Sequence, residues 1–209
     1  MSDKKAKRLF NVIAPIYGWF YKSQKKKYQE VIDKMHDSIK VVDYKTAIDI
    51  GCGTGALCSV LAENGLTVTG VDQAEKMLDV AKKKTKGQPI TFIEADVTSD
   101  TLMFDSKSFD LAFTTFVAHG MDETMRKKLY TEMCRLAKEW VIIHDYNNTR
   151  KWYISTVEWF EGGDYVNFIE NAEAELKGYM EELESCFDQV QVVEVSPRAN
   201  WYICKPKSK

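Results

Sequence analysis

Apolar positions recur along this chain with two alternating periods. Short blocks rich in β-branched and small apolar residues, at 46–50, 67–71, 90–94, 109–114 and 140–143, have the length and makeup of buried strands. Between them, apolar residues fall three and four apart, the spacing of a helix that buries one face. Residues 25–39 align Tyr28, Val31, Ile32, Met35 and Ile39. A second helix turns Leu57, Val60 and Leu61 inward and stops at Asn64 and Gly65, and a third buries Ala74, Met77, Leu78 and Ala81 before Gly87 and Pro89 break it. A fourth, over 122–138, presents Met125, Leu129, Met133 and Leu136, and a last one presents Leu176, Tyr179, Met180 and Leu183. Strands alternating with helices predict a parallel sheet with right-handed crossovers. The end differs, because strands at 189–195 and 200–204 are joined only by residues 196–199. So short a link forces an antiparallel pair.

The densest signal is A-I-D-I-G-C-G-T-G-A over residues 47–56, followed by V-T-G-V-D over 68–72. Glycines at 51, 53 and 55 allow unusual backbone angles and close approach to a ligand, and the helix that follows offers N–H groups. Asp72 ends the second strand about 20 residues past the first glycine, where a doubly wound sheet sets a carboxylate against ribose hydroxyls. A nucleoside cofactor is expected. Gly51, Gly53 and Ala56 also satisfy the G-x-G-x-x-G/A pattern of dinucleotide enzymes. Asp49 separates the two readings: beside the loop it would repel a pyrophosphate and would attract an ammonium group, such as the amino-acid end of S-adenosylmethionine.

D-I-G-C-G-T-G at 49–55 resembles the first motif of the class I S-adenosylmethionine-dependent methyltransferases. Residues 71–78 look like that family's second-strand acid and following helix, 94–97 like its adenine-contacting turn, and 109–116 like its fourth strand. Residues 10–17, with Trp19, Phe20 and Tyr21, resemble the F-D-x-I-A-x-x-Y segment of its small-molecule members, including the quinone-biosynthesis branch; Asn11 replaces the acid and Gly18 stands where aspartate is common. The resemblance implies a Rossmann-like, doubly wound sheet of seven strands, mostly parallel with a C-terminal antiparallel hairpin. It implies that Gly51, Cys52 and Gly53 approach the methionine part of S-adenosylmethionine, with Asp49 acting on the ammonium. Asp72, followed by Gln73, would hold the ribose, Asp96 the adenine amino group, and Met77 and Val97 the adenine ring. Thr115 and Phe116 would lie at the mouth beyond strand four. Structural alternatives stand beside these roles: a helix cap for Asp72, a turn for Asp96 and plain core for Met77.

Methyl transfer from a sulfonium needs alignment and exclusion of water, and needs a base only when the acceptor arrives protonated. Among three histidines, His119 is the candidate, although a loop histidine also serves as a partner for a backbone carbonyl. His144 and Asp145 follow strand five; as neighbours on an extended chain they should point apart and not act as one pair. His36 lies far from the glycine loop. Tyr17, Tyr21, Tyr146 and Trp152 are candidates for acceptor binding, the last two in an aromatic-rich insert over 146–170 that could form a lid.

Composition narrows the class. With 209 residues, 44% of them hydrophobic, one domain is expected: an N-terminal helical cover at 1–40, a cofactor-binding core at 41–145, the insert at 146–170, and a last helix and hairpin at 171–209. No apolar run reaches a membrane span and no signal-peptide core is present, so a soluble cytoplasmic protein is expected. Five cysteines without paired spacing read as free thiols, and no metal site is expected. Lysines at 82–86 suit a helix C-terminus, and the runs at 4–8 and 25–27 suit a mobile terminus and a solvated face. A formal charge of −2 gives no general attraction to nucleic acid, and T-T-F-V at 114–117 stands where base-methylating enzymes show N/D-P-P-Y/F/W. The expected function is methyl transfer to a small molecule; a nucleic-acid methyltransferase, a nicotinamide oxidoreductase and a non-catalytic S-adenosylmethionine-binding protein are the alternatives.

Overall fold

Strands β1 (Thr46–Ile50), β2 (Thr67–Asp72) and β3 (Ile90–Glu94) are parallel, with Ile48 beside Thr69 and Gly70 beside Phe92. They belong to the first of two compact units, Ser2–Asp96; the second is Val97–Lys209. The computed structural model describes residues 3–98, 102–147 and 186–207.

Helices α2 (Ala56–Glu63) and α3 (Glu75–Lys84) follow β1 and β2, bury the expected residues, and end at the expected glycines: Gly65 and Gly87 both take positive φ. Lys82, Lys83 and Lys84 close α3, where they complement the helix dipole. Phe92 of β3 fills the space above the glycine loop. A Cβ on Gly55, whose φ is 74°, would lie 3.0 Å from both the Phe92 ring and Ala81. Strain and crowding combine, so Gly55→Ala should destabilise the protein by about 1–3 kcal/mol. A lowered urea midpoint at unchanged m-value would show it.

Helix α1 departs from expectation. It runs Asp3–Lys34 with Pro15 inside, so the 4–8 lysine run is helical and the helix stops before Met35 and Ile39, which are buried beyond its end. Burial explains why it persists through Pro15 and Gly18: Phe10, Ile13, Ala14 and Tyr17 pack against Ala74, Met77 and Val80. Asn11, which replaces the expected acid, accepts from the Lys76 N–H at 2.9 Å and so caps the first turn of α3.

In the second unit, β4 (Phe109–Thr115) and β5 (Ala137–Tyr146) are parallel, whereas β6 (Phe187–Ser196) and β7 (Ala199–Pro206) form an antiparallel hairpin whose second strand runs antiparallel to β5. Helix α4 (Glu123–Leu136) is capped by Asp122, which accepts from Met125 N–H. It ends two residues short of the expected 138, because Ala137 already has an extended conformation and starts β5. β5 is therefore longer than 140–143 at both ends, with pairs running from Phe109–Ala137 on one side to Tyr146–Ala199 on the other. His144, Asp145 and Tyr146 are strand residues and do not follow the strand.

Read across the sheet, the order is β3-β2-β1-β4-β5-β7-β6, a mostly parallel α/β architecture with its antiparallel pair at the C-terminus. All five cysteines are free, and no described helix is long and apolar enough to cross a membrane. Trp152, the other aromatic residues of the 148–170 stretch and the expected last helix lie outside the described residues.

Candidate functional site

The turn after β1 is fastened to the end of β2. Gly51 and Cys52 N–H groups donate to the Val71 carbonyl at 2.8 and 3.0 Å, Gly55 N–H donates to the Cys52 carbonyl at 2.9 Å, and Gly53 N–H donates to Asp72 Oδ2 at 2.9 Å. Gly51, Gly53 and Gly55 all have positive φ. Four loop donors are thus engaged within the chain. The outer side of Gly53 is open, with nothing within 4 Å of where a Cβ would stand.

Asp72 carries a structural duty as well: its Oδ1 accepts from Ala74 N–H at 2.8 Å, turning the chain into α3. Asp72 thus holds a turn that leads into the helix together with a clamp on Gly53, while the N-cap position of α3 is Ala74 and not Asp72. Burial raises the Asp72 carboxyl above its ordinary range, against the pull of those two N–H groups. A carboxylate has about four acceptor positions, so two such bonds leave capacity for hydroxyl donors.

Asp49 lies beneath this loop, only 1% exposed. Cys58 Sγ donates to its Oδ2 at 3.3 Å, and Oδ1 has no partner. Burial pushes the carboxyl up to about 7 and the adjoining Cys52 thiol up to about 11. A buried carboxylate with an unpartnered oxygen beside an open glycine turn suits a cationic group and opposes a phosphate. The residues fit the amino-acid end of S-adenosylmethionine.

The other expected contacts differ in placement. Gln73 is half-buried beside Asp72, and Asp96 is half-buried in the turn after β3. Met77 is core, packed against α1. Tyr17 is half-buried with its ring edge-on to Phe10 at 6.5 Å. Tyr21 is 6% exposed under Lys84, whose Nζ lies 5.7 Å from the ring centroid, and so it presents almost no surface to a ligand.

The second unit contains a separate cluster, while Val97 is half-buried in a turn of its own. Thr115 ends β4, and its buried hydroxyl has no hydrogen-bond partner. Phe116 has φ 52°, is 37% exposed, and donates its N–H to the His144 carbonyl at 2.8 Å. Its ring lies 4.8 Å from that of His144 and 5.0 Å from that of Tyr146. His119 sits in the short turn Ala118–Gly120, with Nδ1 2.8 Å from Asp145 Oδ1 and its own N–H donating to Oδ2 at 3.2 Å. Tyr146 N–H also donates to Oδ1, at 2.8 Å. Sequence reasoning found His119 and missed Asp145. The two are 26 residues apart, and only the register of the strands brings them together.

His144 is buried against Phe116 and Trp201, and burial lowers its pKa to about 4. The unfolded ring takes up a proton near pH 6.5 and the folded ring does not, so stability should fall by roughly 3 kcal/mol between pH 6.5 and 4 from this group alone. His144→Phe should flatten that limb in urea unfolding at pH 7.5, 5.5 and 4.5. An unchanged slope would contradict a neutral buried ring.

Residues 48–143 match the sequence profile of a family described as "Methyltransferase domain". Over this stretch, a little under half of the chain, the sequence is similar to that family. A protein of Geobacillus sp. (strain WCH70) that bears the name methyltransferase is 34% identical over 110 residues, which cover 51% of this chain and 44% of that protein. The ubiquinone biosynthesis O-methyltransferase of Coxiella burnetii is 37% identical over 67 residues, covering 32% of this chain and 29% of the other. The chain thus spans less than half the length of these curated relatives. The magnesium protoporphyrin IX methyltransferase of Synechocystis PCC 6803, solved with S-adenosylhomocysteine bound, shares the methyltransferase fold at TM-score 0.61 and 16% identity, over 88% of this chain and 83% of that one.

Proposed function

We propose that the protein transfers a methyl group from S-adenosylmethionine to a small-molecule acceptor by in-line displacement. The observation that carries this reading is the clamped glycine turn with Asp72 at its edge and the buried, partly unpartnered Asp49 beneath it. When bound, the cofactor supplies a methyl group already activated on positively charged sulfur. The chain's task is to bind, align and exclude water. In this reading the backbone of Gly51, Cys52 and Gly53 receives the amino-acid end, and the Asp49 charge, weakly screened by its surroundings, attracts the ammonium. Asp72 accepts from the ribose hydroxyls with Gln73 beside it, Asp96 accepts from the adenine amino group, and Val97 offers apolar contact. Met77 supports this wall from the core. Thr115 and Phe116 border the acceptor's entry, His119 takes up a proton where the acceptor has one to lose, and Tyr146, Tyr17 and Trp152 belong to the acceptor side, whereas the buried Tyr21 does not.

Spent loop donors and a carboxylate under the loop both oppose a pyrophosphate, which argues against the dinucleotide alternative. Two of the matched proteins are named for small molecules, and a net charge of −2 favours no polyanion. Free, mostly buried thiols fit a reducing compartment, the cytoplasm. The test offers labelled S-adenosylmethionine with pooled metabolites in one tube and bulk RNA or DNA in another. Label in the metabolites is the expected result. Preferential label in nucleic acid would overturn the acceptor class, and no transfer to either would overturn the activity.

A further inference from the structure

We infer that the outer face of α1 seats the protein on a membrane surface rich in anionic lipid. The contact is separate from methyl transfer and is read without cofactor or acceptor. Helix α1 is apolar on two sides. Its inner side is occupied, since Phe10, Ile13, Ala14 and Tyr17 pack against Ala74, Met77 and Val80. On the outer side Trp19 is 85% exposed and Val12 70%, with Ile16 and Phe20 more than half exposed. Ile16 lies four residues past Val12, and Trp19 and Phe20 lie three and four past Ile16. All four side chains therefore share one helical face, a row roughly 12 Å long. A single exposed apolar residue is ordinary, as Val42, Met103 and Phe116 are, but a contiguous row that includes a tryptophan and a phenylalanine marks a contact surface.

Charge identifies the occupant. Every charged residue from Lys4 to Lys27 is basic, in a chain whose net charge is −2, so positive charge is concentrated on this helix. Two of these lysines are engaged inside their own unit, Lys7 with Glu94 and Lys25 with Glu63. Others flank the apolar row. Arg8 stands one turn before Val12, and Lys26 and Lys27 stand two turns after Trp19 and Phe20; all three are exposed on the same face, with Lys26 in a long pair to Glu30 at 3.8 Å. A helix lying in the interface sinks its rings to the headgroup level and keeps long basic side chains at the phosphates. Anionic lipid adds attraction for each cation held within about 8 Å of the surface at physiological salt. A second copy of the chain suits this face less well. Laid parallel or antiparallel, it would bring basic ends onto basic ends. No described helix is long and apolar enough to cross a membrane, so the contact is peripheral.

Sedimentation of the full chain with vesicles tests this. Vesicles of phosphatidylcholine with about 30% phosphatidylglycerol should bind it about 10-fold or more tightly than phosphatidylcholine alone, and about 0.5 M salt should remove that preference. Trp19→Ser combined with Phe20→Ser should weaken binding about 10-fold or more, and Arg8→Glu combined with Lys27→Glu should erase the preference for the anionic vesicles. These residues are exposed, so both variants should keep the urea midpoint of the unmodified protein. Trp19→Phe is the milder change: it should still bind, but without the blue shift of tryptophan emission that the unmodified protein shows on the vesicles. Equal binding to the two vesicle types, no binding to either, or binding that survives both double substitutions in folded protein would overturn the inference. A blue shift that persists in Trp19→Phe would overturn it too, by placing the contact elsewhere. A dimer that dissociates in the Trp19→Ser, Phe20→Ser variant, with no vesicle binding by the unmodified protein, would assign the face to a second copy instead.

Discussion

Asp49→Asn should make the ligand-free protein more stable at pH 8, by about 1–3 kcal/mol, and should weaken its affinity for S-adenosylhomocysteine by about 10–100-fold. The carboxyl is 1% exposed, one of its oxygens has no donor, and its other partner is a thiol, a weak donor. Burial moves it from 3.8 to about 7. An unfolded aspartate ionises near pH 4, so between pH 4 and 7 the unfolded chain has released a proton that the folded chain keeps. The contribution is fully present below about pH 4 and is lost as pH rises through 7, roughly 4 kcal/mol in all. An asparagine escapes that loss but leaves a buried amide poorly satisfied, which takes back about 1–3 kcal/mol. The gain should therefore appear at pH 8 and vanish at pH 5 in urea unfolding. Equal effects at both pH values would contradict a strained carboxylate. The lost affinity has the same origin, since an ammonium is the partner that a buried carboxylate lacks.

Asp72→Ala should weaken S-adenosylhomocysteine by about 1.5–3 kcal/mol through loss of charge-assisted ribose hydrogen bonds. It should also destabilise the fold by about 1–2 kcal/mol, because it frees the Gly53 and Ala74 N–H groups together. Asp72→Asn keeps one acceptor oxygen and should fall between. Calorimetry and urea unfolding on both variants separate the effects. Unchanged affinity in folded Asp72→Ala would return this residue to a purely structural role.

What was legible in the sequence is what local chemistry determines. Gly65, Gly87 and Pro89 stop the helices where they must, and β1 and β3 occupy the expected 46–50 and 90–94. A link of only 196–199 forces the final antiparallel pair. What was not legible depends on tertiary contact. Helix α1 extends through Pro15 because α3 covers its inner face, and the same docking turns Met77 into core. β5 lengthens because β4 and β7 both supply partners. In the candidate site, the motif pointed to Asp49 and Asp72 but not to the burial that alters Asp49 or the double clamp on Asp72. His119 was visible as a loop histidine. Its partner Asp145 was set aside because sequence adjacency drew attention to His144, whereas strand register delivers the carboxylate to His119.

The most direct test of the central claim is a calorimetric titration of the purified chain with S-adenosylhomocysteine, with NADH as the control. Micromolar binding of S-adenosylhomocysteine and none of NADH is the predicted result. Binding of NADH alone, or of neither, would contradict the assignment of the glycine turn, Asp49 and Asp72 to S-adenosylmethionine.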